Sequence, residues 1–121
     1  VVCVTGDGSF GFHGLEIDTM VRHNLPVITI LGNNSIWGID WQIQKGLYGR
    51  PVWTDLLPTR WDTVAKGLGA YAENVERAAD LDGAMTRAFA QDKPALLNVN
   101  IVQVSSPVAD EAVNRKLGAH G

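Results

Sequence analysis

The fold is decided by the first nine residues of the sequence, VVCVTGDGS (residues 1–9). The continuous apolar and β-branched run that ends at Thr5 is typical of a strand buried on both faces, as the strands of parallel sheets are. The glycines on either side of Asp7 predict a loop in which the backbone can approach a ligand closely. We therefore expect a buried strand up to Thr5 and a polar loop over residues 6–9.

A helix and a second strand follow and complete a βαβ unit. Apolar residues at helical spacing predict a helix over residues 13–24, and Pro26 ends it because proline cannot extend a helix. The run VITIL (residues 27–31) predicts a second buried strand, and GNNS (residues 32–35) predicts a second polar loop. Since the crossover between parallel strands is right-handed in nearly all proteins, the two loops meet at one edge of the sheet.

The remaining sequence continues the alternation of helices and strands. The Trp-, Gly- and Pro-rich residues 36–60 predict irregular structure with one short helical turn near residues 41–45. Beyond them we expect helix 62–68, strand 71–75, helix 81–89, strand 95–102 and a tail, 103–121, with weak helical character near 111–117. The predicted class is α/β, a Rossmann-like parallel sheet with helices on both faces, in a domain of residues 1–102.

Composition and charge exclude several classes of function. The 121 residues carry 10 basic and 13 acidic side chains, a net charge of −3, so the chain lacks the broad positive surface that nucleic acid or anionic lipid requires. Cys3 is the single cysteine and no apolar run approaches the ~18 residues of a membrane span, which together predict a cytoplasmic location. The chain begins on a strand and without Met, so we expect it to be part of a longer polypeptide.

One carboxylate and one amide follow the two predicted strands. A carboxylate beside a phosphate is unfavourable because like charges repel, unless a hard divalent cation lies between them. Asp7 supplies the carboxylate and Asn34 supplies an amide oxygen, and Mg²⁺ prefers oxygen ligands. Each motif alone is also typical of an ordinary turn. Their combination in neighbouring loops favours a site for phosphate and magnesium.

The spacing of the two motifs resembles a family signature. Gly6-Asp7-Gly8 and Asn33-Asn34 are separated by 24 residues, 9–32. This arrangement is similar to that of the thiamine diphosphate-dependent enzymes, in which the motif belongs to the C-terminal pyrophosphate-binding domain. The resemblance covers residues 1–102 and implies thiamine diphosphate and Mg²⁺ as cofactors.

The resemblance also implies which residues hold the cofactor. The metal ligands it implies are three oxygens, from Asp7, Asn34 and the backbone carbonyl of Ile36. The diphosphate contacts it implies are Gly6, Gly8, Ser9 and the backbone of Ile39. In this family the glutamate that activates the cofactor lies on a separate domain, and no residue of this chain matches it.

Other segments resemble particular branches of the family. Residues 11–19, 22–26, 56–59 and 61–62 are similar to 2-hydroxyacyl-CoA lyases and oxalyl-CoA decarboxylases. In contrast, Gly38-Ile39 with Gln42 and Gln44 is similar to acetolactate synthases. The resemblance therefore leaves two substrate classes open, a 2-oxo acid and a 2-hydroxyacyl-CoA.

Two residues near the second loop are candidates for a role in the reaction. Asp40 stands where pyruvate decarboxylases carry a catalytic glutamate, and its side chain is one methylene shorter, so it is the candidate proton-transfer residue. Trp37 follows the implied carbonyl ligand and is a candidate wall of the substrate pocket.

Two functions of different classes follow from these observations. In the first, the chain is the magnesium and diphosphate half of a thiamine diphosphate site in a carbon–carbon lyase or carboligase, completed by the rest of its protomer and a second subunit. In the second, it is a non-catalytic Rossmann-like module that binds another phosphate ligand or serves a structural role. The intact pair of Asp7 and Asn34 favours the first. The resemblance also implies that the fold is incomplete at the N-terminus and that this fragment alone is inactive.

Overall fold

A sheet of four strands lies at the centre of the computed structural model, which describes residues 1–118. The strands are β1 Val2–Gly6, β2 Ile28–Asn33, β3 Tyr71–Val75 and β4 Ala95–Asn100. They follow the order β1-β2-β4-β3, and every neighbouring pair is parallel. The predicted α/β class with a parallel sheet is confirmed.

Helices cover both faces of this sheet. Within the described residues they are α1 Asp7–His13, α2 Glu16–Arg22, α3 Gly38–Tyr48, α4 Trp61–Gly67, α5 Leu81–Phe89 and α6 Pro107–Gly118. Leu96 and Leu97 are adjacent in β4 and fully buried, and successive strand residues point to opposite faces. Leu96 packs in a cluster with residues of α2 and α4, and Leu97 in a cluster with residues of α5. None of these helices is long and apolar enough to cross a membrane.

The register of β1 and β2 brings their carboxyl ends side by side. Val2 pairs with Ile28, and the pairing continues in step to Gly6 and Gly32. Asp7 and Asn33 therefore follow immediately at the same edge of the sheet. The prediction that the two polar segments meet at one edge is confirmed.

The prediction that the first strand is buried on both faces is wrong for this chain. Val2 and Val4 are 45% and 75% exposed. The reason is missing packing on the faces of β1, because the two clusters of buried residues in the described part of the chain contain no residue of this strand. Position at the end of the sheet is not the cause, since β3 also ends the strand order and contributes Ala72 and Val75 to these clusters. An apolar run in the sequence indicates that a strand can be buried, but it does not indicate which neighbouring elements are present to bury it.

The region between β1 and β2 also differs from the prediction. One helix over residues 13–24 was expected after a loop over residues 6–9, whereas α1 already begins at Asp7 and a break at Gly14 and Leu15 separates it from α2. An aspartate in a first helical turn is favourable, and this signal outweighs the flexibility of the flanking glycines. At the break, a Cβ on Gly14 would lie only 2.7 Å from Cε1 of the Phe10 ring, so a larger residue does not fit there without a shift of the ring.

Residues 36–60 contain more regular structure than predicted. The expected short turn near residues 41–45 is part of the eleven-residue helix α3. This helix has no fully buried residue, so the helical spacing of its apolar residues is hard to recognise in the sequence. Its main packing partner is α6. Residues 107–118 form α6, which is longer than the predicted helical segment, and residues 119–121 lie outside the described residues. The last strand ends at Asn100 rather than at residue 102, and the division into a domain and a tail stays a prediction.

Candidate metal and diphosphate site

Asp7 is the buried acidic group at the junction of β1 and α1. It is 5% exposed, and its Oδ2 has no hydrogen-bond partner among the described residues. Burying a carboxylate oxygen without a partner is unfavourable, and native structures contain few such atoms. This oxygen is therefore available to a ligand or a water molecule from outside the described residues.

The side-chain amide of Asn34 faces this carboxylate and a backbone carbonyl together. One amide atom lies 3.3 Å from Asp7 Oδ1 and 3.2 Å from the carbonyl oxygen of Ile36. If that atom is the nitrogen, it donates a hydrogen bond to each oxygen; if it is the oxygen, three oxygens converge and the N–H of Ile36 donates to it at 3.4 Å. Adjacent ligands of an octahedral Mg²⁺ lie about 3 Å apart, because each is about 2.1 Å from the ion. The two distances from the Asn34 amide atom are close to this spacing.

The loop that presents these groups is held by backbone hydrogen bonds. Ser35, between the two candidate ligands of the loop, has a φ of +58°, which is a left-handed conformation. Its carbonyl accepts from the N–H of Leu56 at 2.7 Å, and the carbonyl of Thr54 accepts from the N–H of Trp37 at 2.8 Å. Residues 54–56 thus form a short antiparallel bridge that fixes the loop from its outer side.

A cavity of about 430 Å³ opens beside Asp7, and every candidate site residue from the sequence lines it. Asp40 lies exposed in the first turn of α3 and lines this cavity, as does the half-exposed Ile39. The other candidates that line it are Gly6, Asp7, Gly8, Ser9, Asn34, Ile36 and Trp37. The fold therefore brings all of them together, and their individual roles stay predictions.

Trp37 forms the wall between this cavity and a second one. A Cβ on Gly8 would lie 3.1 Å from the indole ring, and the ring packs edge-on against Phe12 at 5.3 Å between centroids. The second cavity, of about 370 Å³, shares Asp7, Gly8 and Trp37 with the first and is otherwise largely apolar, with walls from Phe12, Leu56, Leu57 and Trp61.

Sequence reasoning missed several residues that shape the site. Ile101 follows β4 and lines the first cavity, and its Cδ1 would lie 3.0 Å from a Cβ on Gly32. Thr54 and Leu56 hold the loop only through their backbones, so no side-chain signal could have identified them. Asn98, in the middle of a strand of apolar residues, was a visible signal, since buried amides need specific partners.

The candidate donor set contains a single carboxylate. Within residues 1–118, no group of three or more His, Cys, Asp or Glu side chains is placed to hold a metal ion. The candidate site therefore depends on one carboxylate, one amide and one carbonyl. Because two of these three ligand groups are uncharged, the set suits a cation whose remaining ligands come from an anionic molecule.

Comparison with known proteins identifies the domain. The family model described as "Thiamine pyrophosphate enzyme, C-terminal TPP binding domain" matches residues 1–99. The chain is 48% identical over 100 residues to the acetolactate synthase large subunit of Mycobacterium tuberculosis, covering 82% of this chain and 18% of that protein. It is 39% identical over 107 residues to 2-hydroxyacyl-CoA lyase 2 of Caenorhabditis elegans, covering 84% of this chain and 17% of that protein.

A solved structure supports the same assignment. The thiamine diphosphate-dependent 4-hydroxybenzoylformate decarboxylase of Rhodococcus jostii superposes with a TM-score of 0.77 at 25% identity, over 88% of this chain and 20% of that protein. The chain thus spans about a fifth or less of the length of the relatives it matches. Because the family model extends from β1 into β4 and two different relatives share more than a third of the aligned residues, the chain belongs to the C-terminal TPP-binding domains of thiamine pyrophosphate enzymes.

Proposed function

We propose that this chain holds the Mg²⁺ and diphosphate end of thiamine diphosphate in a larger lyase or carboligase. The observation that carries the proposal is the convergence of Asp7, Asn34 and the Ile36 carbonyl, together with the unpartnered Oδ2 of Asp7. Asp7, Asn34 and the Ile36 carbonyl would hold the cation, which would neutralise the buried carboxylate and favour the binding of an anionic diphosphate beside it. When bound, thiamine diphosphate supplies the carbanion chemistry that cleaves or forms a carbon–carbon bond.

The residues around the cation support binding of the diphosphate. Gly6 and Gly8 carry no side chain into the cavity beside Asp7, and Ser9 and Ile39 line the same cavity. This leaves backbone N–H groups and the Ser9 hydroxyl free to donate to phosphate oxygens. The proposed role of Trp37 is to close one side of the cavity and exclude water from it.

Asp40 is the proposed proton-transfer residue of this half of the site. It lies at the mouth of the cavity in the first turn of α3, where an exposed carboxylate can reach a substrate. We expect Asp40→Asn to lower kcat while leaving the affinity for thiamine diphosphate unchanged, because the change removes a proton acceptor and retains the shape. Equal losses in cofactor affinity and kcat would contradict this role.

The proposed substrates are a 2-oxo acid or a 2-hydroxyacyl-CoA. The 48% identity to an acetolactate synthase exceeds the 39% identity to a 2-hydroxyacyl-CoA lyase and supports the 2-oxo acid. We further propose that the rest of the protomer and a second subunit bind the other end of the cofactor. A cytoplasmic setting is part of the proposal and is supported by the free, exposed thiol of Cys3.

The test is a calorimetric titration of thiamine diphosphate into the full-length protein, with and without Mg²⁺. We expect binding that requires Mg²⁺ and that Asp7→Ala abolishes, whereas Asp92→Ala, an exposed acidic residue outside the cavity, has no effect. Binding that is independent of both Mg²⁺ and Asp7 would contradict the metal site. A folded protein that binds no thiamine diphosphate would favour the non-catalytic module instead.

A further inference from the structure

We infer that Asn33, Asn98 and Asn74, here called the asparagine chain, are positioning residues for the cation loop, residues 34–36. None of the three is a proposed ligand, and none lies on the loop itself. The inference rests on the proposed function, because it concerns how this chain presents its oxygens to Mg²⁺.

The asparagine chain crosses the sheet from β3 to β2 through side-chain hydrogen bonds. Asn98 Nδ2 donates to Asn74 Oδ1 at 2.7 Å, and Asn33 Nδ2 donates to Asn98 Oδ1 at 3.0 Å. Asn33 is 6% exposed and Asn98 is 1% exposed. Buried amides that are bonded on both sides cannot rotate without losing a hydrogen bond that water does not replace. The chain is therefore a rigid connection behind the site.

Acceptors at both ends favour one direction of the amides in the asparagine chain, and the part-buried acceptor at Thr59 sets the direction of Asn33. At one end the Glu76 carboxylate accepts from Asn74 Nδ2 at 3.0 Å, which leaves Asn74 Oδ1 to accept from Asn98. At the other end the Thr59 carbonyl accepts from Asn33 Nδ2 at 3.0 Å. Because carboxylates and carbonyls cannot donate, Asn33 must direct its Oδ1 toward the cation loop.

This oxygen holds the strained residue of the cation loop. Asn33 Oδ1 accepts from the backbone N–H of Ser35 at 3.2 Å and from its hydroxyl at 3.4 Å. Ser35 has a φ of +58°, a conformation that residues with a Cβ rarely adopt without support. On either side of Ser35, the Asn34 amide and the Ile36 carbonyl contact each other, and the same amide atom also contacts Asp7 Oδ1. The asparagine chain thus sets the spacing of two of the three candidate ligands.

The test compares two substitutions of Asn98 in the full-length protein. Asn98→Leu keeps a side chain branched at Cγ but cannot accept from Asn33, whereas Asn98→Asp retains that acceptor. Asn98→Asp loses the donor to Asn74, whose half-buried amide can turn to donate instead because its hydrogen bond to Glu76 is exposed. We expect Asn98→Leu to weaken Mn²⁺ binding about tenfold, the lower end of the effect of losing an outer-shell partner. We expect Asn98→Asp to retain the wild-type affinity, since Asn33 keeps its partner. Mn²⁺ replaces Mg²⁺ as the probe, and free Mn²⁺ is measured by electron paramagnetic resonance with thiamine diphosphate present.

A purely structural role of Asn98 predicts the opposite order of the two variants. A buried carboxylate destabilises a fold more than a leucine does, so the denaturation midpoint falls further in Asn98→Asp. Only a positioning role gives the larger loss of Mn²⁺ affinity to Asn98→Leu. Asn100→Asp is the control for added charge, because Asn100 lies exposed on the same strand and pairs in register with Asn33.

The outcomes separate this inference from the proposed function. Wild-type Mn²⁺ affinity in a folded Asn98→Leu protein overturns the inference. This holds even if Asn98→Asp and Asn100→Asp gain affinity equally, because such a gain reports only the added negative charge. Absence of Mn²⁺ binding in the folded wild type overturns the proposed function instead. If Asn98→Leu does not fold, Asn74→Leu at the half-buried end of the asparagine chain takes its place. We expect about threefold weaker Mn²⁺ binding from it, and unchanged affinity overturns the inference.

Discussion

Gly8 is constrained by the side chain above it. A Cβ at this position would lie 3.1 to 3.3 Å from three atoms of the Trp37 ring, which is tighter than ordinary van der Waals contact. The ring cannot retreat freely because it also packs edge-on against Phe12. Any atom added at Gly8 therefore pushes Trp37, and with it the neighbouring Ile36 carbonyl.

This contact predicts a strong coupling between the two positions. We expect Gly8→Ala to weaken Mg²⁺-dependent binding of thiamine diphosphate about tenfold, or about 1.4 kcal/mol. In a Trp37→Ala background the same substitution should have less than about a third of that effect, because the ring that it displaces is absent. A calorimetric double-mutant cycle measures the coupling, and additive losses at the two positions would contradict it.

At the residue scale the sequence indicated which candidate residues the fold brings together, but not the residues that support them. Asp7 and Asn34 carry polar side chains directly after apolar runs, and the parallel register places them together. The residues that hold the loop act through backbone groups, as Thr54 does, or through contacts between distant strands, as Asn98 does. Such partners depend on strand order, which no local pattern contains.

At the element scale, α4 begins on an ion pair that responds to pH. Asp62, in the first turn of α4, is 1% exposed and accepts two hydrogen bonds from the Arg60 guanidinium at 2.8 and 2.9 Å. The hydrogen bonds and the positive charge of Arg60 hold the pKa of this carboxyl below its ordinary value, against the opposing effect of burial. Lys66 lies 3.6 Å away and acts in the same direction.

The lowered pKa of Asp62 determines when this pair stabilises the fold. The unfolded chain takes up the proton near pH 4 and the folded chain only at lower pH, so the stabilisation is present above about pH 4 and is lost as pH falls through the folded value. We expect Asp62→Asn to cost about 2 kcal/mol of unfolding free energy at pH 7 and progressively less in acid. Urea unfolding of the full-length protein from pH 7 to pH 3 measures this. Asp18→Asn, which removes an exposed pair with Arg22, is the control and should cost at most about 0.5 kcal/mol.

The contact between α3 and α6 fixes the helix that carries Asp40. The Gln42 side chain accepts from the backbone N–H of Ser106 at 2.7 Å and donates to its carbonyl at 3.2 Å, and it also donates to Asp110. One turn further along, Gly46 leaves room for Val113, whose methyl groups would lie 2.8 Å from a Cβ. Residues 106–118 are therefore held against α3 at two levels.

Removal of the Gln42 side chain should release α6. We expect Gln42→Ala to cost about 1 to 2 kcal/mol locally and to speed amide hydrogen exchange across residues 107–118. Gln44→Ala is a matched control on the same helix, because it removes a hydrogen bond to Val52 rather than one to α6. Similar exchange in α6 for both variants would show that Gln42 is not a specific anchor.

The helix α3 also shows where element prediction failed. Its residues are half-buried or exposed and none is fully buried, and its main partner α6 lies far away in the sequence. A periodic pattern is clear when one face of a helix is fully buried, as in α5, where Ala84 and Ala88 are almost inaccessible. Helix α5 was predicted with its observed bounds for this reason.

At the scale of the whole molecule, β1 is an apolar edge. Val2 and Val4 are exposed, and the strand pairs with β2 on one side only among the described residues. Unpaired edge strands with apolar side chains are templates for pairing with further strands. The larger relatives, of which this chain spans a fifth or less, contain more polypeptide than is needed to cover such an edge.

This edge predicts the behaviour of the isolated 121-residue chain. We expect it to self-associate at micromolar concentrations and Val4→Lys to reduce the association, because a lysine disfavours strand addition. Val104→Lys is the control, since Val104 is equally exposed at 75% but lies outside the sheet. Sedimentation velocity distinguishes the variants. A wild-type chain that stays monomeric, or equal effects of the two lysines, would contradict the prediction.

The step-by-step pairing of β1 with β2 has a consequence for how such a domain tolerates insertions. Asp7 and Asn34 are positioned by strands that run side by side, so the distance between them in space does not depend on the number of residues that connect them. The turn at His23 and Asn24, exposed at the far end of α2, can therefore lengthen or shorten while the site is retained. The cation loop has no such freedom, because one added residue between Asn34 and Ile36 would move the Ile36 carbonyl away from the Asn34 amide that it contacts. Insertions and deletions among related domains should accordingly be found between β1 and β2 and should be absent from the cation loop.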